Sequence, residues 1–161
     1  MSDAPEILKC SDGRRIAYCQ THGESPGVIF LPGFKSDMTG TKALALEKFC
    51  YNRKQSFLRF DYTGHGKSSG DFEDGTIGQW SRDAILVLDE LCKGPQILVG
   101  SSMGGWIMLL VAIARPEKIA GLIGIAAAPD FTEDLIENKF LPDQLDLIAK
   151  QGFLEIPNCY D

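Results

Sequence analysis

The chain has 161 residues, 44% hydrophobic and 24% charged, a composition typical of a globular domain large enough to bury a core. Its formal net charge of -6 argues against nucleic acid or an anionic membrane surface as a partner. The longest apolar runs, 106–114 and 119–128, are separated by charged residues, and each is too short to span a bilayer. We therefore expect one domain without a membrane span.

Two features bear on the cellular compartment. The N-terminus has neither the apolar region of a signal peptide nor the arginine-rich character of a transit sequence, so we expect the protein to be cytoplasmic. The mitochondrial matrix is the alternative if a transit sequence is missing from this chain. The five cysteines lack the paired spacing of metal ligands, and we expect free, unreactive thiols and no metal site. They are Cys10, Cys19, Cys50, Cys92 and Cys159.

The chain opens with a predicted β-hairpin, because the apolar segments 7–10 and 16–19 flank an Asp12-Gly13 turn. Residues 28–31 form a short apolar run without alternation, which is typical of a strand buried on both faces. The run ends in Pro32-Gly33-Phe34.

A helix is predicted next, and residues 57–60 predict the strand after it, which opens into the loop 61–68. Thr76 and Gln79 match a capping box for a second helix that stops at Gly94-Pro95. The predicted buried residues of the two helices are Ala43, Leu46, Phe49 and Cys50 in the first and Trp80, Ile85, Leu88 and Leu91 in the second.

Residues 100–104, Gly-Ser-Ser-Met-Gly, lie between the apolar run 96–99 and the apolar segment 105–110, which predicts a strand, a sharp turn and a helix. Such a turn strains the backbone of the central serine, so the residues two before and two after it must be nearly free of side chain. The turn lifts the Ser102 hydroxyl to the positive end of the helix, where backbone N–H groups favour an anion. We predict that Ser102 is a nucleophile; the alternative is a glycine-rich turn whose serines cap the helix.

The strand 119–126 follows, and strands alternating with helices predict an α/β fold with a mostly parallel, doubly wound sheet. From residue 129 the pattern changes. Residues 131–136, with Phe131, Leu135 and Ile136, suggest a short amphipathic turn, and Pro142 to Gln151 predict a helix ended by Gly152.

Three motifs together resemble the α/β-hydrolase superfamily. They are Leu31-Pro32-Gly33-Phe34, Asp61-Tyr62-Thr63-Gly64-His65-Gly66-Lys67-Ser68 and Gly100-Ser101-Ser102-Met103-Gly104-Gly105. The stretches 36–43 and 94–105 resemble the branch that contains the mitochondrial acyl-protein thioesterase, also an acyl-glucuronide esterase, and its bacterial relatives. The resemblance implies a sheet of the α/β-hydrolase type, missing its last two strands. It places the hydrolase core in residues 1–128 and the start of a lid or cap region in 129–161.

The resemblance also implies acyl transfer from a small-molecule or acylated-protein ester or thioester. Ser102 would attack the carbonyl, and the backbone N–H groups of Phe34 and Met103 would form the oxyanion hole. Gly33 permits the close approach, and Gly33, Phe34, Met103 and Trp106 are the candidate substrate-binding residues. Core packing is an equal alternative for Trp106. No cofactor or metal is expected, and the oligomeric state is left open.

The chain departs from the family in one respect. The family's acid and histidine follow strands downstream of residues 119–126, whereas His22 and His65 both precede Ser102. We expect structural roles for both histidines and for Asp61, while Asp130 occupies a position where some relatives carry their acid. The sequence is thus expected to be the N-terminal part of a longer hydrolase, as a fragment, a truncated product or a splice form. The alternative is a non-catalytic hydrolase-like binding module or an inactive truncated form.

Overall fold

The computed structural model describes residues 4–155. The chain divides into two compact units, Met1–Pro129 and Asp130–Asp161. The first unit holds the sheet and the candidate site, and the second holds the segment for which a lid is predicted.

The first unit is built on a six-stranded sheet of order β1-β2-β4-β3-β5-β6. The strands are β1 (Glu6–Lys9), β2 (Arg15–Thr21), β3 (Glu24–Leu31), β4 (Gln55–Phe60), β5 (Gln96–Ser101) and β6 (Ile119–Ile125). β1 pairs antiparallel with β2 and β2 with β4, while the pairings of β3 with β4 and β5, and of β5 with β6, are parallel. The predicted hairpin and the predicted mostly parallel sheet are both confirmed.

The register of β3 and β5 determines where the site forms. Leu31, the last residue of β3, lies opposite Gly100 of β5, as the resemblance implied. Because the carboxyl ends of parallel strands meet at one edge of a sheet, the segment after Leu31 and the turn after β5 lie side by side. β3 begins at Glu24, four residues before the apolar run 28–31. The apolar pattern did not include its first residues because they are mostly exposed and polar.

The α-helices of the described residues are α1 (Thr41–Asn52), α2 (Ile77–Leu91), α3 (Met103–Ala114) and α4 (Pro142–Gln151). The hydroxyl of Thr76 caps α2 by accepting a hydrogen bond of 3.1 Å from the Gln79 amide, as predicted. The reciprocal half of the capping box is absent, because the Gln79 side-chain oxygen accepts from the Arg82 guanidinium instead, at 3.0 Å. None of the helices between residues 4 and 155 combines the length and apolarity needed to cross a membrane.

The buried face of α1 differs from the prediction. Ala43 and Cys50 are buried as expected, but Phe49 is 54% exposed and Glu47 is buried. At 3.6 residues per turn Phe49 lies about 120° around the helix from Ala43, whereas Glu47 lies only about 40° away. Glu47 is retained inside because its carboxylate pairs with the guanidinium of Arg59 on β4 at 3.2 Å.

In the second unit, two short helical turns span Thr132–Ile136 and Glu137–Lys139. Helix α4 then has the predicted bounds and ends at Gly152, whose φ is +84°. No α4 residue is buried. The side chain of Leu135, the tail 156–161 and its Cys159 lie outside the described residues, so expectations about them are untested.

Candidate active site

Ser102 has the backbone of a sharp strand-to-helix turn. β5 ends at Ser101, α3 begins at Met103, and Ser102 between them has φ +53° and ψ -119°. A residue other than glycine seldom adopts a positive φ, and the surrounding structure must hold it there. The Ser102 side chain is exposed. The predicted strand, turn and helix are therefore present, with the serine at the apex.

The glycines on either side of Ser102 permit close backbone packing. A Cβ on Gly104 would collide with the carbonyl oxygen of Leu31, and a Cβ on Gly100 with that of Gly104. A Cβ on Gly33 would lie 3.3 Å from the Cβ of Ser102. The start of α3 is thus pressed against the end of β3, and Gly33 borders Ser102 directly.

Three backbone hydrogen bonds hold the turn. The Ser102 N–H donates to the carbonyl of Ile125 at 3.0 Å. The Ser102 carbonyl accepts from Gly105 at 2.8 Å and from Ala128 at 3.1 Å. The strained residue is therefore tied to α3 and to both the end of β6 and the segment that follows it.

Residues 33–36 form a turn beside Ser102, which we name the 33–36 loop. The Ser36 N–H donates to the Gly33 carbonyl at 3.1 Å, and Lys35 has φ +53°. Phe34 is half-buried, with its ring 5.0 Å from that of Phe72.

Met103 is fully buried as the first residue of α3, where an amide has no acceptor within its own helix. The structure therefore brings Gly33, Ser102 and Met103 together. Trp106, one turn further along α3, is half-buried.

His65 lies in an aromatic cluster. It is only 5% exposed, and its ring centroid lies 5.1 Å from those of Phe72 and Trp80 and 5.7 Å from that of Tyr62. Its Nδ1 lies 3.3 Å from the carbonyl of Thr63, so this nitrogen carries the proton, since a carbonyl can only accept. Nε2 is then a buried acceptor without a hydrogen-bond partner among the described residues, and burial lowers the pKa of the ring. A structural role for His65 fits this environment.

Asp61 holds its loop together, as expected. Its carboxylate accepts from the amides of Met38 at 2.7 Å and Lys67 at 2.8 Å, and its carbonyl accepts from the Ser68 hydroxyl at 2.7 Å. Burial raises the pKa of Asp61, and the two amide hydrogen bonds oppose that rise. These bonds fasten the loop after β4 beside the loop after β3.

His22 lies at the end of the sheet where the parallel strands β3 and β5 begin, whereas Ser102 lies at the end where they finish. It is exposed and lines a cavity of about 260 Å³ together with Gly27 and Gln96, which lie near the starts of β3 and β5. The length of β5 separates this end from Ser102 by about 17 Å, at about 3.3 Å per residue. Within residues 4–155, no hydrogen bond joins a histidine to the Ser102 hydroxyl.

The comparisons with known proteins agree with this geometry. The model of the alpha/beta hydrolase family matches residues 28–158, which is most of the chain. The chain belongs to the alpha/beta hydrolase family.

Individual relatives place this chain in a branch of the family. It is 55% identical over 157 residues to the palmitoyl-protein thioesterase ABHD10, mitochondrial, of Homo sapiens, covering 96% of this chain and 50% of the relative. The solved structure of alpha/beta hydrolase domain-containing protein 10 from mouse matches with 43% identity and a TM-score of 0.77, over 96% of this chain and 66% of that one. A protein of Agrobacterium vitis S4 matches with 38% identity and a TM-score of 0.88, over 98% of this chain and 65% of that one.

These matches confirm the expected branch, and the chain spans about half the length of its human relative. The word mitochondrial in the relative's name fits the alternative compartment and lends no support to the cytoplasm.

The sequence interpretation missed one buried group of this hydrolase, the carboxylate of Asp83. Asp83 is 0% exposed; it accepts from the Thr63 amide at 2.8 Å and from the guanidinium of Arg14. It thereby joins α2 to the loop after β4 and to the hairpin. An acidic residue on the same helical stripe as Trp80 and Val87 was the available signal, because a charge on a buried face requires a partner.

Neither the thiols nor the metal-ligating side chains in the described part of the chain form a second candidate site. Burial is the main cause that raises the pKa of Cys10, Cys19 and Cys50, and it raises that of Cys92 to about 12. These four thiols are free, and a raised pKa keeps a thiol protonated and weakly nucleophilic at neutral pH. Between residues 4 and 155, no group of three or more His, Cys, Asp or Glu side chains could hold a metal ion.

Proposed function

We propose that the protein is a serine hydrolase of carboxylic esters or thioesters that acts through an acyl-serine intermediate on Ser102. The observation that carries the proposal is the exposed Ser102 at φ +53°, held at the start of α3 with Gly33 against it. A strained, exposed serine at a helix N-terminus is the arrangement that this chemistry requires. The thioesterase relatives support an acylated protein as the substrate.

In the proposed reaction the Ser102 hydroxyl oxygen attacks the substrate carbonyl carbon. The backbone N–H groups of Phe34 and Met103 donate hydrogen bonds to the resulting oxyanion, and the positive end of α3 adds to its stabilisation. Collapse of the tetrahedral intermediate releases the thiol or alcohol and leaves the acyl group on Ser102, from which water removes it. Loss of one such oxyanion donor lowers kcat by about 100- to 1,000-fold in comparable enzymes.

The proton acceptor of this reaction is proposed to be a histidine beyond these 161 residues. His65 is buried among aromatic rings and His22 lies at the far end of the sheet, so neither supports the role. The order of motifs in the family, serine before acid before histidine, supports a later position. On this proposal, the 161-residue chain alone hydrolyses esters slowly, using the turn and oxyanion donors without a complete triad.

We further propose that Gly33, Phe34, Met103 and Trp106 contact the acyl group and that the mitochondrial matrix is the site of action. The cavity beside the 33–36 loop, lined by Gly33, Ser36 and Ser101 among others, has a volume of only about 140 Å³. Ligand pockets commonly measure about 300–1,000 Å³, so this cavity is small for an acyl chain, and of the four proposed residues it is lined by Gly33 alone.

The test is covalent labelling of the full-length protein with a fluorophosphonate probe. Wild type and Ser101→Ala are expected to be labelled, whereas Ser102→Ala is not. Ser101→Ala is the matched control, since it removes the neighbouring hydroxyl of a residue that is only 8% exposed. A folded full-length protein that stays unlabelled would contradict the proposal; saturable ester binding without turnover would then favour the binding-module alternative.

A further inference from the structure

The 33–36 loop packs against two aromatic side chains, with the Phe34 ring 5.0 Å from that of Phe72 and 6.2 Å from that of Trp80. The Phe34 ring meets the Phe72 ring edge-on, with centroids 5.0 Å apart and planes at 71°. The next residue of the loop, Lys35, lies with its Nζ 5.4 Å from the centroid of the same ring. Two consecutive residues of the loop therefore contact the Phe72 ring, one by an aromatic contact and one by a cation–π contact.

The backbone conformation of Lys35 requires stabilising contacts. Its φ is +53°, a conformation that a lysine adopts at an energetic cost and that other contacts must stabilise. Phe34 directly precedes Lys35 in the chain. A change in the backbone angles of the 33–36 loop would therefore turn the Phe34 N–H relative to Ser102.

Phe72 is itself firmly supported. It lies in the short helical turn Phe72–Asp74, with its ring stacked on Trp80 at 5.8 Å and 26° and in edge contact with His65 at 5.1 Å. The Trp80 indole N–H donates to the carbonyl of Thr63 at 2.9 Å, which fixes the ring. A Cβ on Gly64 would lie only 2.9 Å from the Cα of Phe72, so the turn that carries Phe72 packs closely against the backbone of Gly64.

We propose that Phe72 is a positioning residue for oxyanion stabilisation: it clamps the side chains of Phe34 and Lys35 and so aims the Phe34 N–H at the developing oxyanion. The inference rests on the proposed function. Phe72 touches neither the nucleophile nor the reacting carbonyl in this role; it acts through the 33–36 loop. Its removal should weaken transition-state binding more than substrate binding, because the oxyanion forms only during the reaction.

The experiment compares variants of the full-length protein in the hydrolysis of p-nitrophenyl butyrate. Phe72→Leu is expected to lower kcat about tenfold with KM unchanged within twofold, since a displaced donor loses part of its contribution. Phe72→Tyr keeps the ring and is expected to retain kcat within twofold. Inhibition by a boronic acid that forms a tetrahedral adduct on Ser102 should weaken about tenfold in Phe72→Leu.

The matched control is Phe49→Leu, which removes an exposed aromatic ring that also carries a cation, with the Arg53 guanidinium 5.3 Å from its centroid. Phe49 lies near the end of α1, and the cation on its ring comes from Arg53 rather than from the 33–36 loop, so its loss should leave kcat and KM unchanged. A second variant, Lys35→Met, removes only the cation–π contact of an exposed residue and is expected to lower kcat about threefold.

The inference alone is overturned if Phe72→Leu retains the wild-type kcat, or, where Phe72→Leu fails to fold, if Lys35→Met retains it. A rise in KM with unchanged kcat would also contradict it, because that indicates lost substrate binding. A wild-type protein that is neither labelled at Ser102 nor able to turn over the ester removes both this inference and the proposed function.

Discussion

At the scale of single residues, the site depends on how little space surrounds the turn at Ser102. The glycines near it contribute by having no side chain, since the carbonyl of Leu31 occupies the position that a Cβ on Gly104 would need. A positive φ at Ser102 persists only while this contact and the hydrogen bond to Ile125 are both present. The geometry of the candidate site and the stability of the first unit are therefore linked.

Gly104→Ala is predicted to lower the free energy of unfolding by about 2 kcal/mol or more, because either α3 or the end of β3 must move. Gly78→Ala is the matched control, since Gly78 also lies in the first turn of a helix but its Cβ would meet nothing closer than 3.7 Å. That control should be neutral or stabilise by up to about 1 kcal/mol, as alanine favours a helix over glycine. Urea unfolding followed by circular dichroism measures both, and equal effects would contradict the assignment of close packing.

At the scale of elements, a buried ion pair joins α1 to the sheet. Glu47 of α1 and Arg59 of β4 are almost wholly inaccessible, and their atoms approach to 3.2 Å. The Arg59 guanidinium also donates to the carbonyl of Met38 at 3.2 Å, which ties the segment before α1 to the same group. Such a pair contributes orientation more than net stability, because the desolvation of both charges offsets their attraction.

Glu47→Ala is expected to lower the free energy of unfolding by about 3–5 kcal/mol, because it leaves the Arg59 charge buried and unpaired. The double variant Glu47→Leu with Arg59→Met removes both charges and should recover most of that loss. Lys48→Ala, which removes an exposed charge from the same helix, serves as the control. Glu47→Leu and Arg59→Met are also measured singly by chemical denaturation, and losses that simply add in the double variant would show that the two side chains are not coupled.

At the scale of the whole chain, β6 is an apolar edge strand of the sheet among the described residues. β6 pairs with β5 on one side, and it is the last strand in the order of the sheet. Leu122 is 42% exposed and Ile123 52% exposed, and neighbouring residues of a strand point to opposite faces. Both faces of this strand are therefore accessible, and such an edge can pair with another strand.

Ile123→Lys is predicted to reduce concentration-dependent association of the 161-residue chain, because a charge on an edge strand opposes strand pairing. The control is Ile113→Lys, which adds the same charge at a position of α3 that is 78% exposed. Both variants change the formal net charge from -6 to -5, so a difference between them cannot come from overall charge. Light scattering over a range of concentrations provides the measurement, and equal scattering from the two variants would contradict the role of the edge.

The sequence alone was sufficient for the local structure of the first unit. The Asp12-Gly13 turn, the Thr76 cap and the glycine-flanked Ser102 turn are signals carried by a few adjacent residues, and each was confirmed as structure. Such signals are reliable because the preferred backbone angles of these residues depend little on distant contacts. The parallel order of the sheet followed from the alternation of strands and helices.

Only the tertiary structure decided which side chains meet across the chain. The helical period places Glu47 near the buried side of α1, but only the fold shows that Arg59, twelve residues later in the chain, supplies its buried partner. The support of Phe34 by Phe72 likewise depends on the packing of two loops from different strands. Side-chain pairing of this kind depends on geometry in three dimensions, whereas periodicity and turn preferences describe neighbours along the chain.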